Sequence, residues 1–349
     1  MLLRRRGMAA VSVTFAALLS LSACAGAGDT GKGDTGAAAA GGKDAKSVAQ
    51  GGEDFGDAAE KTAALGTDAE PGQWPRTLRH AMGSTVIEHQ PERVVVLDVG
   101  ELDNVVSLGL KPVGLATSEG SPELPSYLKD EAGKPADVGT INSLNLEAIA
   151  RLKPDLILGS QLRAGNSYDE LSQIAPTVFS IRPGFTWKEN YLLNASALDK
   201  TAQAEKNLAA YEKRVKELAA ELGDDKPTVS MLRYMTKGRI RLYANYSFIG
   251  TILKDIGIPR PKNQDIADLA TEISAENIDQ ADADYIFTGV YGDPKATQKS
   301  QVLGNPLWKN LTAVKNGHAF DVPDETWYLG LGVTAADVVL GDLQKYLTA

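Results

Sequence analysis

Two stretches of the chain share one pattern of apolar and polar positions. Leu144 to Leu158 reads LNLEAIARLKPDLIL and Ile273 to Phe287 reads ISAENIDQADADYIF. With Glu147 set on Glu276 they align without a gap, pairing Asn145 with Ser274, Ile149 with Ile278, Asp155 with Asp284 and Ile157 with Ile286. The apolar residues after each glutamate recur at helical spacing, and Asn145 and Ser274 suit an N-cap. Pro154 stops the first helix before the run Leu156, Ile157, Leu158, so each copy predicts a short helix feeding a buried strand. The surroundings repeat too. Val94 to Leu97 and Val229 to Leu232 read as strands, Glu101 to Gly109 and Phe248 to Ile256 as helices, and Gly109-Leu110-Lys111-Pro112 and Gly257-Ile258-Pro259 as turns. Ahead of them Met82 to His89 reads as an extended segment. The pattern predicts a duplicated α/β unit, hence two lobes with mainly parallel sheets.

Between the copies the period changes. Thr186-Trp187-Lys188-Glu189 has capping-box form and opens a helical run to about Leu198. A second run from Ala202 to Leu222 sets Leu208, Tyr211, Val215, Leu218 and Leu222 three or four apart, one apolar stripe on a charged surface. At 1.5 Å per residue it spans roughly 30 Å, enough to bridge two lobes, and Gly223 and Pro227 end it. Residues 186–223 therefore read as a long helical backbone joining an N-terminal lobe, 76–185, to a C-terminal lobe, 224–349.

The amino terminus has a different character. Arg4, Arg5 and Arg6 precede an apolar run from Met8 to Leu21, too short for a comfortable span, and residues 1–23 read as an export signal. Leu21-Ser22-Ala23-Cys24 resembles the lipobox at which bacterial lipoproteins are cleaved and acylated. Cys24 is the only cysteine, which excludes an internal disulfide and suits a lipid anchor. Residues 24–75, rich in Gly and Ala, read as a flexible tether holding the body off the extracytoplasmic face of the cell membrane.

Composition then narrows the classes. With 349 residues, 43% apolar and 23% charged, the chain is long enough for two lobes after a processed leader. Loss of the three leader arginines takes the net charge from −9 to −12, and no basic stripe stands out, so nucleic acid is excluded as a partner. There are three histidines, His80, His89 and His318, and none is spaced as a metal ligand. No G-x-S-x-G elbow and no phosphate loop occurs, so the chain reads as a binder and not an enzyme, with a lipid-anchored hydrolase as the weaker alternative.

The two glutamate-helix-aspartate-strand segments, the helical backbone and the lipobox together resemble the periplasmic-binding-protein-like lipoproteins of iron-siderophore and cobalamin ABC importers. The segment Val322-Pro323-Asp324-Glu325-Thr326-Trp327-Tyr328, with Gly330 and Gly332, is similar to the siderophore branch. The resemblance implies two α/β lobes, a ligand cleft between them, a monomer, and ABC permease subunits with their ATPase as partners. It implies a ferric siderophore as ligand, with the iron held by the siderophore and no cofactor of the protein's own. Glu147 and Glu276 match the docking glutamates that meet permease arginines, although a carboxylate in a first helical turn also suits the macrodipole.

Parallel sheets bind ligands beyond the carboxyl ends of their strands. Arg163, Arg233, Tyr291, Trp327 and Tyr328 follow predicted strands, Arg241, Tyr243 and Tyr246 lie on the loop after the second lobe's first strand, and Trp187 opens the bridging helix. Arginine forks suit the ligand oxygens of a ferric complex and aromatic faces its hydrocarbon arms. The aromatics are equally compatible with plain core positions, whereas a guanidinium after a buried strand needs a partner. Three arginines in so acidic a protein favour a ferrioxamine-like hydroxamate, with haem or cobalamin as the alternative cargo.

Overall fold

The computed structural model describes residues 55–348; the leader 1–23, Cys24 and the first part of the tether lie outside them. A hairpin of β1 (Arg76–His80) and β2 (Gly83–Ile87) precedes the first sheet. That sheet contains β3 (Val94–Val96), β4 (Gly114–Thr117), β5 (Ala136–Thr140), β6 (Ser143–Leu144), β7 (Leu156–Ser160) and β8 (Thr177–Ser180), in the order β6-β5-β4-β3-β7-β8. All its pairings are parallel except β5 with β6. The second sheet contains β9 (Val229–Tyr234), β10 (Ile240–Tyr243), β11 (Ala270–Ile273), β12 (Tyr285–Val290) and β13 (Ala319–Asp321), in the order β11-β10-β9-β12-β13. Here β9, β12 and β13 run parallel while β10 is antiparallel to both neighbours, so the second lobe is more mixed than its repeat pattern predicts.

Helices cover the sheets and join the lobes: α1 (Ala58–Ala63), α2 (Val99–Ser107), α3 (Leu146–Arg151), α4 (Trp187–Ala197), α5 (Thr201–Leu222), α6 (Phe248–Ile256), α7 (Asp324–Trp327) and α8 (Val333–Leu347), with shorter turns between them. The parallel strands are apolar on both faces, as sheets covered on both sides must be. In β3, Val94 and Val96 enter the central core and Val95 the outer one; in β7, Leu156 and Leu158 face inward and Ile157 outward. The central core is shared. It runs from Val94 and Leu158 through Trp187, Tyr191, Tyr211 and Val215 of the connecting helices to Phe287, Trp327 and Leu340. A shared apolar core of this extent opposes wide hinge opening between lobes.

Polar contacts tie the same region. Asp103 of α2, fully buried, accepts from Thr334 N at 2.9 Å and Ala335 N at 3.0 Å, capping α8 from the other lobe. A side chain at Gly332 would overlap the Asp103 carboxylate, which is why glycine precedes this helix. Asp155 and Asp284, paired by the repeat, do equivalent work at the heads of β7 and β12. Asp155 accepts from Glu92 N and Arg93 N at 2.8 Å each, and Asp284 from Thr228 N at 2.8 Å and the Thr228 hydroxyl at 2.7 Å.

The stretch before β1 differs from the tether expected there. Helix α1 buries Ala58 and Thr62, Gly66 pairs with Arg79 through two backbone bonds, and Arg76 ion-pairs with Asp199 at 2.8 Å. Main-chain bonds, this ion pair, and Leu65 and Trp74 packed against the central core hold it, and those two residues are too far apart to set a period in the sequence.

Candidate functional site

In a doubly wound sheet the strand order reverses at one point, and the loops there diverge to leave a crevice. In the first sheet this is between β3 and β7, and between β9 and β12 is the equivalent position of the second. A cavity of about 360 Å³ lies between the loops of both lobes, with Arg163, Arg182, Arg233, Arg239 and Arg241 on its wall.

Asp98 ends β3 and caps α2, accepting from Val99 N at 2.8 Å, and its second oxygen accepts from Arg163 Nε at 3.3 Å. One turn on, Glu101 is fully buried with Oε2 unbonded among the described residues. Burial, then the neighbouring Asp98 charge, pushes its carboxyl up to about 8, so at neutral pH it carries a proton. The Arg163 side chain keeps 17% exposure and faces the cavity with one bond made.

Across the cleft Arg233 is held on several sides. Its guanidinium forks onto Asp324 of α7, with Nε to Oδ1 at 2.6 Å and Nη2 to Oδ2, and Nη1 donates to the Tyr243 hydroxyl at 3.0 Å. Tyr291 and Tyr328 flank it, with its Cζ 4.6 and 5.4 Å from their ring centroids. Burial alone would lower its pKa, but the Tyr243 oxygen and the Asp324 carboxylate more than offset this and keep the charge fixed. Arg241 donates to Glu272 at 2.8 Å, and Arg239 approaches the same carboxylate at 3.4 Å.

Tyr291 spans the cleft. Its hydroxyl lies 3.2 Å from Ser118 Oγ and accepts from Gly120 N at 3.2 Å, joining the end of β12 to the loop after β4. A side chain at Gly120 would overlap the Tyr291 ring, so this approach requires glycine.

Of the residues singled out in the sequence, Arg163, Arg233, Arg241, Tyr243, Tyr291, Trp327 and Tyr328 border the cavity. Tyr328 lies with Oη 2.9 Å from both the Leu232 and Phe287 carbonyl oxygens, bracing β9 against β12. Trp327 borders the cleft but is fully buried, donating to Asp342 at 3.0 Å and packing 4.8 Å from Phe287, so it supports the wall from behind. Trp187 is a correction: it is fully buried in the central core, edge-on to Tyr211 and Phe248, with Nε1 donating to Thr251 at 2.9 Å. The capping box expected at this helix start does not form, because the Thr186 hydroxyl donates to Arg182 O at 2.6 Å. Tyr246 lies outside the cavity lining, stacked on Phe185 at 4.6 Å. Glu147 and Glu276 are both exposed in first turns, the former of α3 and the latter of a 3-10 segment, Ala275–Ala281.

Sequence reading missed Arg182 and Arg239. Arg182 comes two residues after β8, the same signal that picked out its neighbours, and Arg239 stands directly before β10, two residues from Arg241. Among the described residues no cluster of three His, Cys, Asp or Glu side chains is placed to hold a metal ion.

A family model described as "Periplasmic binding protein" matches residues 94–326. A Bacillus subtilis protein named "Probable siderophore-binding lipoprotein YfiY" is 39% identical over 285 residues, covering 78% of this chain and 87% of its own. The Fe(3+)-citrate-binding protein YfmC of the same organism is 33% identical, covering 77% of this chain and 85% of its own. Among solved structures, Staphylococcus aureus SirA complexed with staphyloferrin B is similar with a TM-score of 0.69 and 34% identity, covering 78% of this chain and 98% of that one.

Proposed function

Because the chain belongs to the periplasmic binding protein family, we propose that it is the substrate-binding lipoprotein of an ABC importer and that it captures a ferric siderophore in the cleft between its lobes. The observation that carries this reading is the cleft itself, five arginines and three tyrosines at the facing switch points of two lobes. Such a wall meets the outer oxygens of a coordinated ferric ion with charge-assisted donors and its organic arms with ring faces. Five arginines in place of three remove the argument for a neutral hydroxamate. Asp98, Asp324 and Glu272 temper the field, so we read the ligand as a ferric complex of modest negative charge, of the kind that carboxylate oxygens present. The protein is then a binder and not an enzyme, anchored through acylated Cys24 and delivering its cargo to a permease through Glu147 and Glu276.

Intrinsic fluorescence titration of the purified protein with ferric citrate, a ferric trihydroxamate, haem, cobalamin and each iron-free chelator tests the ligand. Saturable binding confined to a ferric complex supports the proposal, and equal response to iron-free chelators, or binding of cobalamin or haem alone, overturns it. For docking, Glu147→Ala/Glu276→Ala should abolish uptake with affinity unchanged. Normal uptake by that double variant would remove the docking assignment.

A further inference from the structure

The first described residue, Phe55, is the only aromatic between Cys24 and Trp74. Its ring packs edge-on to Phe185 with centroids 5.5 Å apart and lies 5.4 Å from Tyr246. Phe185 and Tyr246 themselves stack at 4.6 Å with planes 19° apart. Phe185 lies between β8 and α4, and Tyr246 between β10 and α6, so this stack is a contact from one lobe to the other. Phe55 closes it on a third side.

Beneath the rings is Arg182, its Cζ 4.3 Å from the Phe55 centroid and 5.3 Å from that of Phe185. Arg182, Pro183 and Gly184 line the ligand cavity on one side of the cluster, and Ser247 and Phe248, directly after Tyr246, line it on the other. Arg182 is 3% exposed, and on the same wall it is repelled by Arg163 and attracted by Asp268. An aromatic face over a desolvated guanidinium is worth most where water is excluded, and it fixes the plane in which the donors lie.

We propose that Phe55, at the end of the tether, is a positioning residue for the cleft: it completes a cross-lobe aromatic clasp and fixes the plane of the Arg182 guanidinium at the cavity wall. This rests on the proposed binding of a ferric complex in the cleft. The tether is then part of the binding apparatus and not only a spacer, and the retention of ligand depends on a residue outside both lobes. Because the clasp lies behind the cavity wall and leaves its mouth unobstructed, its loss acts on escape and not on entry.

The test uses the full-length lipoprotein in detergent and three variants, Phe55→Ala, Phe55→Leu and Phe55→Tyr, with two readouts. In stopped-flow binding of ferric citrate, or of whichever ferric complex the titration identifies, Phe55→Ala should raise the dissociation rate about tenfold and leave the association rate within about twofold. Phe55→Tyr should restore the wild-type rate, and Phe55→Leu, apolar but without a π face, should not. In hydrogen exchange without ligand, amides of 184–186 and 245–248 should exchange faster in Phe55→Ala while those of α2 do not change. Unchanged exchange overturns the clasp whatever the ligand proves to be. Faster exchange with an unchanged dissociation rate, or full rescue by leucine, overturns the positioning of Arg182. Wild-type protein that binds no ferric complex would count against the ligand reading, and exchange would still decide the clasp.

Discussion

The two lobes each bring an arginine and an aspartate to the same crevice, from different elements, and then treat the pair differently. In the N-terminal lobe Arg163 touches Asp98 through one 3.3 Å contact, and a protonated Glu101 lies buried in the first turn of the helix that Asp98 caps. In the C-terminal lobe Arg233 is forked onto Asp324, bonded to Tyr243 and flanked by two rings, with 4% of its side chain exposed against 17% for Arg163. A guanidinium whose donors are spent inside the protein is scaffold. One that has made a single long bond keeps donors for a ligand. At this pair the C-terminal side is therefore fixed and the N-terminal side the adaptable one.

The strongest way to break this comparison is to truncate both arginines. Arg233→Ala strands Asp324 without its counter-charge, and we expect a stability loss of about 3–5 kcal/mol by denaturant titration. Arg163→Ala should cost only about 1 kcal/mol of stability, because Asp98 keeps its bond to Val99 N. Its affinity for the ferric ligand should nonetheless fall by about 1.5–3 kcal/mol. Equal stability losses would mean that both arginines are struts and that the contrast between the two sides is false.

The buried acid on the adaptable side gives a pH signature. The Glu101 carboxyl is raised from 4.5 to about 8 in the folded protein, so the fold prefers its protonated form. Stability from this group is complete below about 4.5 and is lost as pH rises to about 8, at about 1.4 kcal/mol per unit, levelling beyond. Asp103, raised to about 6, adds a slope of the same sign at lower pH, and His80, lowered to about 4 by burial, adds the opposite one up to 6.5. The interval from 6.5 to 8 isolates Glu101, and there wild type should lose about 2 kcal/mol relative to Glu101→Gln. Parallel curves for the two proteins would show that Glu101 is ionised in the fold.

How far this was legible follows from what each feature depends on. The duplicated unit could be read because strands covered on both faces must be apolar throughout, and because Asp155 and Asp284 recur at the strand heads where backbone donors need acceptors. Arg163 followed from a strand end, a local signal. Arg233, by contrast, lies within β9, and Arg241 and Tyr243, expected on a loop, form part of β10, an antiparallel strand the repeat did not announce. Trp187 misled because burial of an aromatic at a helix start depends on what packs there, and α5 and α6 supply Tyr211 and Phe248 from elsewhere in the chain. The folded stretch from Ala58 was hidden for a related reason: alanines and backbone bonds carry no periodic mark, and its large apolar anchors, Leu65 and Trp74, stand too far apart to set one.

The contact that joins the walls should respond more weakly. Tyr291→Phe removes the hydroxyl that meets Ser118 and Gly120 but keeps the ring beside Arg233, for a loss of about 1 kcal/mol. Ligand association should then quicken in stopped-flow while the melting curve moves little. Gly120→Ala should act further in the same direction, since the ring must leave its place. Slower association in either variant would mean that Tyr291 guides the ligand in and does not bar it.

The smallest difference lies in the repeat itself. Asn145 accepts from Ala148 N at 2.9 Å and opens an α-helix, whereas Ser274 makes no cap bond to the backbone and its oxygen takes the Asn277 side-chain amide at 3.2 Å. The residues after each glutamate explain this: Ala148, Ile149, Ala150 and Arg151 favour a helix, whereas Asn277 and Asp279 compete with its backbone bonds, and Asn277 sits at φ −107° inside a 3-10 segment. Asn145→Ala should therefore cost about 1 kcal/mol and Ser274→Ala less than about 0.5. Thermal melts of the two variants measure the difference directly. A loss at Ser274 as large as that at Asn145 would mean that both copies carry a working cap, and that the lobes differ at the crevice but not at the surface where Glu147 and Glu276 stand.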